Sequence, residues 1–156
     1  MDAKYITPFV LGAKHVFKTM LDIDLIDKAP FPKNTTRSTA DVTGVMGFTG
    51  DRRGTMAFSM SAEGALMVYG RLMGERVSSL SPEVADAMGE LTNIISGQAR
   101  KELEKESLHL LAHVPLIFVG RNVEISLVTR GTIMTIPFSF TVDGKTEEVS
   151  LDCVFE

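Results

Sequence analysis

The sequence predicts an α+β fold, in which a mixed or antiparallel sheet is covered on one face by helices. Helical and strand periodicities follow one another along the chain in the order αββααβββ, with three or four strands at the end, and the apolar faces of the last two strands match. The length of 156 residues fits a single domain spanning residues 1–156, and the composition (44% hydrophobic, 23% charged) is typical of globular proteins.

The first predicted element is a helix over residues 5–21, because its apolar residues fall on one stripe. Thr7 suits the capping position of this helix and Pro8 its first turn. The segment 28–37 combines prolines, an asparagine and mixed charge, and therefore predicts a loop.

A β-hairpin is predicted next, with strands at 38–49 and 55–60 around a glycine-bounded turn. The first strand contains the spacing G-x-x-G-x-x-G, starting at Gly44. This spacing is not the dinucleotide fingerprint, and no helix follows at the right place. Close packing or a bulge is therefore the favoured explanation of the strand glycines over a phosphate-binding loop.

Two helices are predicted in the middle of the chain. The first covers residues 61–73 and ends at Gly74. The second begins at Ser81-Pro82-Glu83, which combines a capping serine, a proline in the first position and an acid in the first turn. It is predicted to continue to about residue 106.

The last third of the chain predicts strands at 114–120, 122–129 and 134–142, and a final strand that ends near 155. A tight turn at Asp143-Gly144 joins the last two strands. Their predicted pairs are Phe138 with Val149, Ile136 with Leu151, and Met134 with Cys153. Pro137 predicts that its strand meets an edge or a break at that point.

Composition excludes several classes of function. The net charge is −4 and there is no basic block, which disfavours nucleic acid as a partner. The uncharged runs Ser107–Gly120 and Gly131–Val142 are shorter than the roughly 20 residues of a membrane-spanning helix. One cysteine allows no internal disulfide, and the N-terminus does not resemble a secretory signal. We therefore expect a cytoplasmic protein.

The most informative segment is DAMGELTNIISG, residues 86–97, inside the long predicted helix. At about 100° per residue, one polar stripe contains Asp86, Glu90, Asn93, Gly97, Arg100 and Lys101. Gly89 flanks this stripe, and each mid-helix glycine costs roughly 1 kcal/mol relative to alanine. A flat, exposed helix surface would let a second macromolecule approach Glu90 and Asn93. Alternatively, the stripe is an ordinary solvated helix face, with Gly97 near a crossing helix.

The pattern Asp86-x3-Glu90-x2-Asn93 resembles the signature of the CheC/CheX/FliY phosphatases of bacterial chemotaxis. Pro115 is the candidate for the proline that ends this signature; 21 residues separate it from Asn93, one fewer than in the family pattern. The start YITPFVLGAKHVFKTML resembles the CheX branch. The first helix has no Glu-x-x-Asn of its own, which favours a single-site, CheX-like domain.

The resemblance implies an enzyme that hydrolyses the aspartyl phosphate of a phosphorylated CheY-type response regulator. In that interpretation Asn93 orients the attacking water, and Glu90 contacts a lysine of the regulator. The residues then expected at the regulator-binding surface are Asp86, Gly89, Gly97 and Arg100. Mg²⁺ is expected on the regulator, so no cofactor and no metal ligand are expected on this chain. The resemblance also implies a homodimer joined through sheet edges.

Two other classes of protein stay open. The first is a non-catalytic module that uses the same helix face to hold a regulator or to attach to the flagellar switch. The second is a small-ligand sensor, which is disfavoured because the sequence shows no polar cluster that would line a pocket.

His109 and His113 have the spacing of helical zinc ligands but no matching context, so partly buried histidines at a helix end are the favoured interpretation. Cys153 alternates with apolar residues and predicts a buried thiol.

Overall fold

The computed structural model describes residues 3–38, 40–125 and 129–156. Within these residues the helices are α1 (Ala3–Val16), α2 (Ala62–Met73) and α3 (Pro82–Lys105), and a π-helical turn (Phe17–Leu21) extends α1. The strands are β1 (Ile26–Asp27), β2 (Phe31–Pro32), β3 (Val42–Gly50), β4 (Gly54–Met60), β5 (Leu110–Ala112), β6 (Leu116–Val119), β7 (Met134–Val142) and β8 (Lys145–Phe155).

The described strands form one antiparallel sheet in the order β1-β7-β8-β4-β3-β5. Strand β2 also pairs with β7, and β6 also pairs with β3, so each end of the sheet is closed by two short strands. This confirms the predicted α+β class, with an antiparallel sheet.

The predicted register of the last hairpin is confirmed. Ile136 lies opposite Leu151 and Phe138 opposite Val149, so large apolar side chains stack on one face of the sheet. Pro137 lies between the residues of β7 that pair with β1 and those that pair with β2, and its carbonyl accepts the Lys28 N–H at 2.9 Å. The predicted break in edge pairing at this proline is therefore confirmed.

The two faces of the sheet differ in character. On one face α1 packs through ring contacts, Phe9 against Phe48 and Phe17 against Phe58, and α3 packs beside β3. Buried apolar side chains of the four long strands fill this face. On the other face the strand residues include Thr43, Ser59, Thr135 and Asp152. The core therefore lies between the sheet and the helices, as predicted.

Local signals placed the ends of α2 and the start of α3 correctly. Ser61 accepts the Gly64 N–H at 3.0 Å at the start of α2, and Gly74 ends that helix at φ +72°. Ser81 accepts the Val84 N–H at 3.4 Å, one residue before the proline that begins α3. Helix α3 has 24 residues, close to the predicted length.

The predicted start of the first helix is wrong. Helix α1 is described from Ala3, so Thr7 does not cap it and Pro8 lies inside it. Pro8 is buried and is the sixth residue of α1, so α1 lacks the N–H that would otherwise donate to the Lys4 carbonyl.

One predicted loop and two predicted strands also need correction. The predicted loop 28–37 contains β2, because the edge of β7 provides its pairing partners. The predicted strand 114–120 is the shorter β6, preceded by β5, which the sequence did not reveal. In the predicted strand 122–129 the described residues make one bridge, Glu124 to Arg37, outside the main sheet. Residues 126–128 lie outside the described residues.

Candidate active site

Helix α3 is held against the rest of the domain by close backbone approaches. A Cβ at Gly12 of α1 would lie 3.0 Å from the backbone nitrogen of Ala99, and a Cβ at Gly44 of β3 would overlap the Thr92 side chain. Thr92 is itself fixed, since its hydroxyl donates to the Met88 carbonyl at 2.7 Å. The close-packing interpretation of the strand glycines is therefore confirmed at Gly44. The glycine contact at Gly12 was missed, although Gly12 lies on the apolar side of α1.

Gly89 is buried, and the expectation that it flanks an exposed surface is wrong. A Cβ at this position would lie 3.3 Å from Ile117 Cγ1 of β6. The missing side chain at Gly89 therefore lets the edge strand pack close to α3. Ordinary helix-to-strand packing explains this glycine, because a partner cannot reach a residue covered by Ile117.

The exposed side of α3 presents the predicted polar stripe. Asp86, Glu90 and Asn93 are exposed, and among the described residues none of their side chains makes a hydrogen bond or an ion pair. Glu90 and Asn93 are three residues apart, so they lie on neighbouring turns, about 4.5 Å apart along the helix axis. We call Asp86, Glu90, Asn93, Gly97 and Arg100 the α3 stripe.

Gly97 and Arg100 complete the α3 stripe towards the C-terminal end of the helix. A Cβ at Gly97 would meet only Arg100 Nη2, at 4.0 Å, so the space beside Gly97 is open. Arg100 is partly buried, and its Nε has no hydrogen-bond partner within the described part of the chain. The stripe is thus a shallow surface with an acid, an amide and a guanidinium available to a second molecule.

Pro115 lies between β5 and β6, in a β-bulge of the sheet edge that the sequence did not reveal. Strand β5 pairs Ala112 with Phe48, whereas β6 pairs Leu116 with Val45, so the edge strand carries one extra residue between these pairs. Bulges and strand edges are where sheets accept proline. Pro115 precedes by two residues Ile117, whose side chain packs against Gly89 of α3.

On the sheet face opposite the helices, polar side chains are paired with one another. Asp152 accepts from Lys33 Nζ and from Thr135 Oγ1, both at 2.6 Å. Arg121 Nε donates to Asp41 Oδ1 at 2.5 Å, and this guanidinium lowers the pKa of the Asp41 carboxyl. We call this surface the polar sheet face; its further buried pairs are Thr43 with Ser59 and Thr55 with Thr129.

The remaining candidates lie away from the α3 stripe. His109 and His113 are exposed on either side of β5, so the interpretation as partly buried residues at a helix end is wrong. Cys153 is completely buried and burial raises its pKa, which confirms the predicted buried thiol.

The described residues contain no group of three or more histidine, cysteine, aspartate or glutamate side chains placed to bind a metal. None of the described helices is both long and apolar enough to cross a membrane.

Fold and site together define a class: an α+β domain whose longest helix presents an unpaired acid and amide to solvent. The family model described as chemotaxis phosphatase CheX matches residues 42–139, more than half of the chain. The match includes β3, the whole of α3 and Pro115. The chain therefore belongs to the CheX family.

Individual relatives agree with this assignment. The chain is 27% identical over 140 residues to the CheY-P phosphatase CheX of Thermotoga maritima, covering 89% of each protein. It is similar to the crystal structure of the chemotaxis protein CheX from Desulfovibrio desulfuricans, with a TM-score of 0.86, 29% identity and coverage of 97% and 99%. The CheX of the Borrelia burgdorferi CheX–CheY–BeF3–Mg²⁺ complex shares the fold, with a TM-score of 0.76, 24% identity and coverage of 97% of each chain.

Proposed function

We propose that this protein hydrolyses the aspartyl phosphate of a phosphorylated CheY-type response regulator, with the α3 stripe as its active surface. The observation that carries the proposal is the exposed pair Glu90 and Asn93, unpaired among the described residues, on a rigidly seated helix of a CheX-family domain. The Thermotoga maritima relative is named as a CheY-P phosphatase.

Asn93 is assigned the orientation of the attacking water. Hydrolysis of an acyl phosphate passes through a loose, highly charged transition state, so catalysis requires mainly positioning and charge stabilisation. The amide oxygen can accept a hydrogen bond from the water, while the NH₂ group can donate to a phosphoryl oxygen. The reaction then needs no covalent intermediate on this chain, and Mg²⁺ would be held by the regulator.

Glu90 is assigned the contact with the regulator. A carboxylate one turn from Asn93 can form a charge-assisted hydrogen bond with a lysine beside the regulator's phosphorylation site. Because Glu90 has no intramolecular partner among the described residues, it can form that contact without first breaking another. Asp86 and Gly97 would complete the surface on either side of the pair.

We further propose that two copies associate through the sheet edge formed by β5 and β6. This edge carries exposed apolar side chains: Leu111 (68% exposed), Val114 (83%), Leu116 (62%) and Val119 (55%). An edge strand also offers unpaired backbone groups to a second strand. Light scattering should give the mass of a dimer for the wild type and of a monomer for Leu116→Lys. Ile26→Lys, at the opposite edge of the sheet, is the control that should stay dimeric.

The proposed location is the cytoplasm, where response regulators act and where the single thiol, Cys153, stays reduced.

Phosphate release from a regulator tests the catalytic proposal. A CheY-type regulator of the same cell, phosphorylated with acetyl phosphate or phosphoramidate, is followed with and without wild-type protein. Wild-type protein is expected to accelerate phosphate loss, and Asn93→Ala to reduce that acceleration about 100-fold or more while leaving the unfolding midpoint unchanged. Asn34→Ala, which truncates an exposed asparagine away from the α3 stripe, is the matched control.

The alternative is a non-catalytic regulator-binding or flagellar-switch module that uses the same helix face. A module of that kind would bind the phosphorylated regulator without accelerating phosphate loss, and Asn93→Ala would bind equally well. Failure of wild-type protein to accelerate phosphate loss from several regulators would therefore replace the catalytic proposal by this one.

A further inference from the structure

The side chain of Arg100 runs back along α3 towards Asn93. Its Nη2 atom lies 4.0 Å from the point that a Cβ at residue 97 would occupy, so the guanidinium borders the open space beside Gly97. This direction is the usual one for long side chains on a helix, which lean towards the N-terminus. The guanidinium therefore lies about one helical turn from the level of Asn93.

No interaction within the described residues accounts for this position. Arg100 makes no hydrogen bond or ion pair there, although Glu104 lies one turn further along the same helix and is exposed. Its Nε is excluded from solvent without a partner, which is unfavourable for a guanidinium. The helix dipole does not explain the charge either, because Arg100 precedes the last turn of α3 and the effect is confined to that turn.

The α3 stripe also has a fixed order of charges. Asp86 and Glu90 lie on the N-terminal side of Asn93, and Arg100 lies on the C-terminal side. A partner with a cation opposite Glu90 and an anion opposite Arg100 can dock in one direction along the helix, since the reversed orientation would place like charges together.

We propose that Arg100 determines the orientation in which the regulator docks, by binding a carboxylate on the regulator about one helical turn from the phosphoryl group. This inference rests on the proposed function. A guanidinium matches a carboxylate with two parallel hydrogen bonds, a geometry that lysine cannot reproduce. The phosphoryl group is assigned to Asn93, so a guanidinium one turn away contacts another part of the regulator.

The test compares Arg100→Glu with wild-type protein in the phosphate-release assay, with KM for the phosphorylated regulator and kcat measured separately. Arg100→Glu is expected to raise KM about tenfold at low ionic strength and to leave kcat within about twofold. The effect on KM is expected to shrink at 0.5 M salt, because salt screens charge pairs at a surface. Arg76→Glu makes the same charge change at an exposed position before α3 and is the matched control.

A second arm identifies the carboxylate. Each exposed acid around the phosphorylation site of the regulator is changed to lysine, and one of these variants is expected to restore the KM of Arg100→Glu. Equal KM values for Arg100→Glu and Arg76→Glu would overturn the inference on Arg100. The proposed function would still stand in that case, provided that wild-type protein accelerates phosphate loss. A loss in kcat without a change in KM would assign Arg100 to the phosphoryl group and also overturn it. With no acceleration by wild-type protein, the proposed function itself would fail.

Discussion

The α3 stripe and the polar sheet face are both rich in polar side chains, but they use them in opposite ways. On the polar sheet face Lys33 and Thr135 both donate to Asp152, and the three side chains are largely excluded from water. On the α3 stripe Glu90, Asn93 and Arg100 have no side-chain partner among the described residues. Intramolecular pairing stabilises the fold, whereas unpaired groups on a rigid helix are free to bind another molecule. The polar sheet face is therefore expected to matter for stability, and the α3 stripe for the proposed activity.

The largest effect on stability is expected at Asp152. Replacement by alanine leaves Lys33, whose side chain is 15% exposed, without its carboxylate and should lower the free energy of unfolding by about 3 kcal/mol. Urea unfolding measures this loss. Glu148→Ala breaks the exposed pair with Lys28 and should cost less than about 1 kcal/mol. Phosphatase activity of the folded Asp152→Ala protein should stay within about twofold of wild type; a specific loss of activity would show that the two faces are not separate.

Gly44→Ala should lower both stability and phosphatase activity, because Gly44 lies on β3 where the sheet packs against α3. The added methyl group would overlap Thr92, next to Asn93, and should cost about 2 kcal/mol of stability as well as activity. Thr92→Ala in the same chain removes the overlapping atoms and should restore part of both losses. Urea unfolding and phosphate release are measured on the single and double variants. If the effects of Gly44→Ala and Thr92→Ala are simply additive, the contact between residues 44 and 92 is not the cause of the losses.

Gly97→Ala should raise the stability of the protein but weaken its binding of the regulator. The space at Gly97 is open, so alanine should raise the free energy of unfolding by up to about 1 kcal/mol through helix propensity. The same methyl group lies within the α3 stripe and is expected to raise KM for the regulator several-fold. If KM is unchanged in steady-state kinetics, the regulator does not approach the helix at this point.

The smallest effect is expected at Asp41, and it depends on pH. Arg121 lowers the pKa of the Asp41 carboxyl below its ordinary value of 3.8, so the unfolded chain binds the proton more readily than the folded one. The stabilisation is therefore complete above about pH 4 and is lost as the pH falls through the lowered pKa. Asp41→Asn should flatten the acid limb of the stability profile and leave activity unchanged; an unaltered acid limb would exclude this pair as its cause.

Much of the fold was predictable because its signals are local. The caps at Ser61 and Ser81 and the glycine at Gly74 act within one turn of the helix ends that they fix. The register of the last hairpin was predictable because a two-residue turn and alternating apolar residues leave one self-consistent pairing. Elements that depend on distant partners were missed: β1 and β2 contain two residues each and exist only beside β7.

The candidate site likewise combines features that local sequence signals predict with features that depend on distant parts of the chain. Helical periodicity was enough to place Asp86, Glu90 and Asn93 on one exposed face of α3. It failed at Gly89, which lies at the border of that face, because burial there depends on where the edge strand passes. The chemical roles of Glu90 and Asn93 came from the family resemblance and stay predictions.

By itself, the sequence determined which residues form the long helix, which of its sides is polar, and how the final hairpin pairs, since these depend on neighbours a few residues apart. Only the tertiary structure decided that Gly89 packs under Ile117, that a bulge separates β5 from β6 at the sheet edge, and that Gly44 lies against Thr92. These contacts join segments that are distant in the chain, and their geometry follows from the packing of the whole sheet against the helices.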